Sequence, residues 1–375
     1  LRSGEEKVIF PNGKHPYQIC FCGYSGSGKT TLLSRLITKM SLKYEVGYIK
    51  TDAHHFSMDT PGKDTHTAWT NGASQVAISD CSHSALISSQ QNTTGFNLNF
   101  LNCDIVFIEG RKESGFGKII VVDRECKILD KVQDNVVGNV LAYVGQENRN
   151  SLLGKPYFHR SNIEDIGCFI EKLSFTQTPI LYGLVLAGGF SQRMKRDKAL
   201  IEYFGKTQVR HCFELLSDKC HKAFVSVRSG QLPESESSLP QINDRFLNFG
   251  PVGGILTAMM KFPEAAWLVV ACDLPLLTVE TLKNLISKRN QFKVATHYCA
   301  NNSERLPEPL CAIYEPKARY YLLQWLGQNI YCPRKILEAA PCQAIPVEDK
   351  DVLKNINDSD EYQELKKTIA EENLF

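Results

Sequence analysis

The sequence predicts two α/β domains in tandem, each a three-layer arrangement with helices on both faces of a mainly parallel sheet. The chain has 375 residues, which is enough for about two domains at roughly 150 residues each. Hydrophobic residues make up 43% and charged residues 22%, values typical of globular chains with a buried core. Twice along the chain an apolar run is followed by a Gly-rich turn and then by a helical pattern, and this alternation favours parallel sheets.

The N-terminal domain is predicted to cover residues 1–176. Its first element is a strand at 17–21, and a Gly/Ser-rich turn then leads into a helix, "KTTLLSRLITKM", with apolar residues at helical spacing. An amphipathic pattern at 162–173 predicts a closing helix, and the polar stretch 174–180 contains a Pro and marks the boundary. Further apolar runs separated by polar segments predict strands of the same α/β sheet at 46–49, 75–79, 105–109, 118–122 and 139–144.

The C-terminal domain is predicted to cover residues 177–375. It opens with a strand and Gly-rich loop at 181–189, and further apolar runs predict strands at 223–227 and 267–272. In such a sheet the functional groups are expected just outside the carboxyl ends of the strands. The stretch 228–241 has few apolar residues and is predicted to be a surface loop.

Composition excludes several classes of function. Lys plus Arg number 43 and Asp plus Glu number 41, a net charge of +2, which gives no general field for nucleic acid or an anionic membrane. The 13 cysteines are scattered, as expected of free thiols in a reducing compartment. No run approaches the roughly 18 apolar residues of a membrane helix, and the amino end has no apolar signal core. We therefore expect a cytoplasmic protein.

A phosphate-binding motif follows the first strand. The segment "GYSGSGKT" at 23–30 matches G-x-x-x-x-G-K-[ST] between a strand and a helix. In such a loop backbone N–H groups surround phosphates, Lys29 reaches the terminal phosphates and Thr30 coordinates Mg²⁺. Glu109, at the end of an apolar strand, is predicted to approach the same ion. The predicted nucleotide-binding residues are Gly23, Ser25, Gly26, Ser27, Gly28, Lys29, Thr30 and Thr31.

A second Gly-rich site lies in "LAGGFSQRMKRDK" at 186–198. Its small residues let backbone amides approach a phosphate or base closely, and Arg193 and Lys198 are suited to stabilising charge on a transferring phosphate. Asp273 ends the strand of "WLVVACD" and is predicted to hold Mg²⁺ against a triphosphate. Asp244 lies shortly before "FGPVGGI". The predicted catalytic residues are Arg193, Lys198 and Asp273.

Two segments of the first domain resemble a known family. "KTDAHHFSMDTPGKDT", followed by "NGA", and the strand "DIVFIEGRK" are similar to segments of the molybdopterin-guanine dinucleotide biosynthesis GTP-binding protein. The resemblance covers about residues 17–172. It implies a GTPase with weak intrinsic hydrolysis that assists the enzyme building the cofactor.

The second domain resembles the molybdenum cofactor guanylyltransferase family, whose motif reads L-A-G-G-x-S-x-R-M-G-x-D-K. The later pieces "GPVGGI", "CDLP", "EPLCAIYEP" and "NIND" follow in the family's order over about residues 180–362, although Lys195 stands where the family has Gly. The resemblance implies that Asn355 and Asn357 line the pterin side of the cleft. It also implies a guanine nucleotide site formed by Leu186, Ala187, Gly188, Gly189, Lys198, Asp244 and Asp273.

Together the two halves predict a fused enzyme that transfers GMP from GTP to molybdopterin and releases pyrophosphate, with Mg²⁺ as cofactor. The resemblance also implies a homodimer, and molybdoenzymes or their chaperones as further partners. Three alternatives remain. A cytidylyltransferase usually has "LAAG" where this chain has "LAGG", and a sugar-phosphate nucleotidyltransferase usually has a Pro before the Lys where this chain has Asp197. From a different class, the chain could be a GTP-dependent delivery module without transferase activity.

Overall fold

The computed structural model divides the chain into two compact units, one ending at Ser174 and the other beginning at Phe175. No helix within the described part of the chain is long and apolar enough to cross a membrane. The structure describes residues 16–50, 61–88, 99–133, 136–187, 190–191, 196–203, 205–299, 306–347, 349, 351–356 and 359–372.

The N-terminal unit is built on a seven-stranded sheet with order β2-β5-β1-β6-β7-β9-β8. Its strands pair in parallel except β8, which is antiparallel to β9. The strands of this unit are β1 Tyr17–Cys22, β2 Val46–Lys50, β3 Gln75–Ser79, β4 Ser84–Ser88, β5 Ile105–Glu109, β6 Gly117–Val121, β7 Val140–Gly145, β8 Ser151–Leu152 and β9 Lys155–His159. The helices are α1 Lys29–Met40, α2 Asp64–Thr70, α3 Ile128–Gln133 and α4 Ile163–Thr176.

The predicted strand at 75–79 exists but does not belong to that sheet. It is β3, which pairs antiparallel with β4 in a separate two-stranded hairpin. Central parallel strands are buried on both faces and read as continuous apolar runs, as β5 does. In β3 only Val76 is partly buried, and Ile78 is 60% exposed. The alternating sequence of β3 therefore cannot supply a central strand.

The C-terminal unit has a second seven-stranded sheet with order β14-β13-β10-β15-β17-β16-β18. Its strands are parallel except β17, which is antiparallel to both of its neighbours. The strands of this unit are β10 Leu181–Leu186, β11 Phe190–Ser191, β12 Arg196–Asp197, β13 Lys222–Val227, β14 Gln241–Asn243, β15 Ala266–Ala271, β16 Ala295–Cys299, β17 Pro307–Tyr314 and β18 Gln343–Pro346. The helices are α5 Gln208–Ser217, α6 Pro251–Lys261, α7 Val279–Ser287, α8 Ala318–Leu326, α9 Pro333–Ala339 and α10 Ser359–Glu372.

Two apolar clusters lie on this second sheet. Successive residues of one strand point to opposite faces, and accordingly Val185 belongs to one cluster while Leu184 belongs to the other. Each cluster also contains helix residues, such as Leu216 of α5 in the first and Ile255 of α6 in the second. The sheet is therefore covered by helices on both faces, and the predicted α/β fold class is confirmed.

Candidate functional site

The predicted phosphate loop runs from Gly23 to Gly28, between β1 and α1. Gly26 and Gly28 have φ values of +75° and +86°, in the left-handed region that glycine adopts without strain. At Gly23 an added Cβ would lie only 2.6 Å from the Val121 carbonyl oxygen of β6. Three glycines are therefore required at this turn, two by conformation and one by close packing.

The Lys29 side chain folds back over this loop. Its Nζ donates to the carbonyl oxygens of Gly23 at 3.1 Å and Tyr24 at 2.8 Å. Burial lowers the pKa of Lys29, and the nearby Glu109 carboxylate opposes that shift. The ammonium thus lies at the loop that would surround a phosphate.

Thr30 and Glu109 meet because β1 and β5 are neighbouring parallel strands. The Thr30 hydroxyl lies 3.2 Å from each carboxylate oxygen of Glu109, and the Tyr48 hydroxyl donates to Glu109 Oε2 at 2.8 Å. Burial raises the pKa of Tyr48 to about 12, and the bond to Glu109 adds to that rise. A hydroxyl beside a carboxylate is a ligand pair that suits Mg²⁺.

The other predicted residues of the loop differ in exposure. Ser25 and Thr31 are exposed, whereas Ser27 is buried and its hydroxyl has no hydrogen-bond partner among the residues described. Asp104, at the opposite end of β5 from Glu109, accepts a hydrogen bond from the Glu45 amide at 3.0 Å. Asp104 therefore lies at the edge of the sheet away from the loop.

In the C-terminal unit, Lys198 and Asp273 lie side by side. Because β10 and β15 pair in parallel, with Leu186 opposite Ala271, the segments that follow them emerge at the same edge of the sheet. Lys198 Nζ is 3.5 Å from Asp273 Oδ2, with the two side chains 17% and 19% exposed. The other oxygen, Asp273 Oδ1, is buried and has no hydrogen-bond partner within the described part of the chain.

The turn after β10 is held by a neighbouring loop. The Ala187 amide donates to the Ser226 carbonyl at 3.2 Å, and the Ala187 carbonyl accepts from Gln231 Nε2 at 2.7 Å. Gln231 belongs to the stretch 228–241, which was predicted as a surface loop, and its side chain contacts this turn. Its amide supports a predicted nucleotide-binding backbone, a role for which the local sequence carries no signal.

Asp244 lies beside the same turn. The Ser226 hydroxyl donates to Asp244 Oδ1 at 2.6 Å, and the Asp244 amide donates to the Val227 carbonyl at 2.9 Å. Burial raises the pKa of Asp244, and the bond from Ser226 opposes that rise. The carboxylate is thus fixed at the carboxyl end of β13.

Comparison with known proteins identifies both halves. The family described as "Molybdopterin guanine dinucleotide synthesis protein B", or MobB, matches residues 18–145. The family described as "MobA-like NTP transferase domain" matches residues 183–344. The chain joins a MobB domain to a MobA-like NTP transferase domain.

Individual relatives match parts of the chain. A molybdenum cofactor biosynthesis bifunctional protein of Synechocystis sp. is 38% identical over 195 residues, which are 52% of this chain and 56% of that protein. The chain thus spans little more than half the length of that relative. A probable molybdenum cofactor guanylyltransferase of Flavobacterium johnsoniae is 28% identical over 48% of this chain and 94% of that protein. The crystal structure of molybdopterin-guanine dinucleotide biosynthesis protein A from Archaeoglobus fulgidus is 24% identical over 51% of this chain and 99% of that one, with a TM-score of 0.44.

Some predicted residues of the MobA-like domain lie outside the described residues. Asn355 is described, and its side-chain Oδ1 is buried without a hydrogen-bond partner among them. The next residue, Ile356, donates its amide to the Asp273 carbonyl at 3.0 Å, which brings this segment to the loop that carries Asp273. The predicted residues outside the described ranges are Gly188, Gly189, Arg193 and Asn357.

Sequence reasoning did not single out Glu308, an acidic residue whose charge interacts with that of Asp273. It lies in β17, and burial raises its pKa, with the Asp273 charge contributing to the rise and Arg334 opposing it. Glu308 also accepts a hydrogen bond from the Leu310 amide at 3.0 Å. The sequence did contain a signal, because Glu308 is a charged residue inside the otherwise apolar strand "PEPLCAIY". A partly buried charge in such a strand needs a compensating partner.

Substitution of Gly254 by Ala is expected to disturb the site through packing. An added Cβ would lie 2.3 Å from Ser226 Oγ and 3.0 Å from Leu186 Cδ2. We expect Gly254→Ala to break the bond from Ser226 to Asp244, to lower the free energy of unfolding by about 1–3 kcal/mol, and to raise the KM for the nucleotide. Thermal unfolding and initial rates at varied nucleotide concentration measure the two effects.

The matched control is Gly327→Ala in the same unit. Gly327 has α-helical backbone angles, and its added Cβ would approach no atom closer than 3.4 Å. It should change neither stability nor KM by much. If the two variants have the same free energy of unfolding and the same KM, the inferred close packing at Gly254 is wrong.

Proposed function

We propose that the chain transfers GMP from GTP to molybdopterin, forming molybdopterin guanine dinucleotide and pyrophosphate, with the fused MobB domain assisting as a GTP-binding module. Two observations support this function: the two matched domain families and the names of the relatives, a molybdenum cofactor biosynthesis bifunctional protein and a probable guanylyltransferase. The bacterial relatives are themselves named for molybdenum cofactor biosynthesis, and each half of the chain points to it independently.

The observation that carries the proposal is the pairing of Lys198 with Asp273. Their side chains are mostly buried, 3.5 Å apart, at the carboxyl edge of the sheet and beside the turn formed by Leu186 and Ala187. In a partly desolvated site, fixed charges stabilise a developing phosphate charge more strongly than they would in water. A pair of opposite charges at this edge of the sheet suits an enzyme that binds a triphosphate and cleaves one of its phosphoanhydride bonds.

The reaction needs positioning and charge stabilisation rather than a protein nucleophile. A terminal phosphate oxygen of the pterin attacks the α-phosphorus of GTP, one P–O bond forms, and the bond to pyrophosphate breaks. In this scheme the backbone at Leu186 and Ala187 contacts the guanine nucleotide, and Asp244 contacts its nucleoside portion. Lys198 stabilises the negative charge that develops on the departing pyrophosphate.

The residues present fit a divalent cation. Asp273 Oδ1 is a buried carboxylate oxygen without a hydrogen-bond partner among the described residues, and hard oxygen donors are the ligands that Mg²⁺ prefers. We propose that Asp273 holds Mg²⁺ in the MobA-like domain. When bound there, the ion would neutralise part of the negative charge of the triphosphate.

In the MobB domain we propose a second GTP site. The loop from Gly23 to Gly28 would surround the phosphates, Lys29 would contact the terminal ones, and Thr30 and Glu109 would hold Mg²⁺. We also propose, from the family resemblance, that the protein works as a homodimer and that molybdoenzymes or their chaperones receive its product. Like its family, this domain is expected to hydrolyse GTP slowly.

The test is to identify the nucleotide attached to the pterin. The purified chain is incubated with Mg²⁺, molybdopterin and either GTP or CTP, and Asp273→Ala serves as the inactive control. We expect attached GMP from GTP, with equimolar pyrophosphate. Attached CMP would assign the enzyme to the cytidylyltransferases, and GTP binding without any transfer would favour a delivery module.

A further inference from the structure

Arg160 of the N-terminal unit lies at the same edge of the sheet as the phosphate loop. It follows β9, and its amide donates to the Gly145 carbonyl at the end of β7 at 2.8 Å. The turn is closed by Asn162, whose amide donates to the His159 carbonyl at 2.9 Å, and α4 begins at the next residue. The backbone at Arg160 is therefore fixed by the sheet and by a tight turn.

The Arg160 guanidinium reaches the last residue of the phosphate loop. A Cβ placed on Gly28 would lie 3.0 Å from Arg160 Nη1 and 3.9 Å from Cζ. Gly28 immediately precedes α1, where the amino end of the helix and the loop amides attract an anion. The two residues are 132 positions apart in the sequence, so the sheet brings this cation to the loop.

This guanidinium lacks a partner within the part of the chain that the structure describes. Its Nε is buried and makes no hydrogen bond, and no ion pair with Arg160 occurs among the described residues. Buried polar groups of proteins are almost always hydrogen-bonded, and buried cations are paired with an anion. Glu109, an acidic residue near the loop, already accepts hydrogen bonds from Thr30 and Tyr48.

We propose that Arg160 binds a phosphate group of the nucleotide held by the loop, an inference that rests on the proposed GTP site of the MobB domain. The guanidinium offers several N–H donors in a planar array that matches phosphate oxygens. A phosphate at Gly28 would supply an acceptor and a negative charge that none of the described residues provides to this side chain. Lys29 and Arg160 would then contact the phosphates from two strand ends, β1 and β9.

The experiment measures GDP and GTP affinity of the full chain by calorimetry in the presence of Mg²⁺. We compare the unmodified protein with Arg160→Ala, Arg160→Lys and Lys29→Ala. Removing a charge-assisted hydrogen bond should weaken both nucleotides about tenfold or more in Arg160→Ala. Arg160→Lys should recover part of that loss, because an ammonium still binds phosphate as a point charge.

The matched control is Arg35→Ala, which removes an exposed arginine from α1 of the same domain and should leave affinity unchanged. The melting temperature without nucleotide should be the same for Arg160→Ala and the unmodified chain. The inference is overturned if Arg160→Ala binds as the unmodified protein does. It is also overturned if Arg160→Ala and Arg160→Lys lose nucleotide affinity equally while their melting temperatures without nucleotide fall, because that pattern indicates that Arg160 serves packing rather than phosphate binding.

These outcomes separate the inference from the function on which it rests. The GTP site, and the inference with it, fails if the unmodified chain binds neither nucleotide, or if Lys29→Ala binds them as well as the unmodified chain does. If Lys29→Ala loses binding and Arg160→Ala does not, the GTP site stands and only the role of Arg160 is wrong.

Discussion

Asp273→Asn is expected to reduce GMP transfer by about 10²- to 10³-fold or more, while the protein stays folded. The amide keeps the shape of the side chain but removes the charge that we propose holds Mg²⁺ and that faces Lys198 at 3.5 Å. The hydrogen bond from the Ile356 amide is to the backbone carbonyl of Asp273 and survives the substitution. Pyrophosphate release, measured over a range of Mg²⁺ concentrations, is the readout.

The control for Asp273→Asn is Asp218→Ala. Asp218 is in the same unit, directly follows α5, and has a side chain that is 77% exposed. Its removal should therefore leave the rate unchanged. A fall of less than tenfold in Asp273→Asn, with unaltered dependence on Mg²⁺, would remove Asp273 from the proposed catalytic role.

Glu315→Gln is expected to lower the free energy of unfolding of the C-terminal unit by about 3–5 kcal/mol, because it leaves a buried charge unpaired. Glu315 is fully buried and accepts two hydrogen bonds from Arg289, at 2.6 and 2.8 Å. Arg289, whose side chain is only 11% exposed, also donates to the Pro179 carbonyl at 3.0 Å. Hydrogen exchange of amides in β15 and β17 reports on this unit specifically.

An exposed ion pair of the same unit provides the comparison. Lys206 and Glu214 lie 2.5 Å apart with side chains 36% and 50% exposed, so Glu214→Gln should cost less than about 1 kcal/mol. If Glu315→Gln costs no more than Glu214→Gln, the buried pair does not stabilise the unit as we infer. Glu315 is the second-last residue of "EPLCAIYEP". If Glu315→Gln lowers stability and leaves GMP transfer intact, that part of the motif has a structural role.

Local patterns in the sequence predicted most of the secondary structure near the two sites. The predicted helix "KTTLLSRLITKM" coincides with α1, and the predicted strand 105–109 coincides with β5. These elements could be predicted because periodicity and glycine turns are local properties of the chain. The strand at 75–79 also exists, but it belongs to a separate hairpin. Which sheet a strand joins depends on what packs against its two faces, and local periodicity carries no information about that packing.

The sequence by itself determined the two α/β domains, the two Gly-rich turns and the candidate acidic and basic residues near the strand ends. Only the tertiary structure decided which of these residues meet. The order of the strands places Glu109 beside Thr30, Asp273 beside Lys198, and Arg160 beside Gly28, across separations of 79, 75 and 132 positions. The physical reason is that strand neighbours in a parallel sheet are chosen by how crossover helices pack, and that choice depends on the whole core rather than on any local segment.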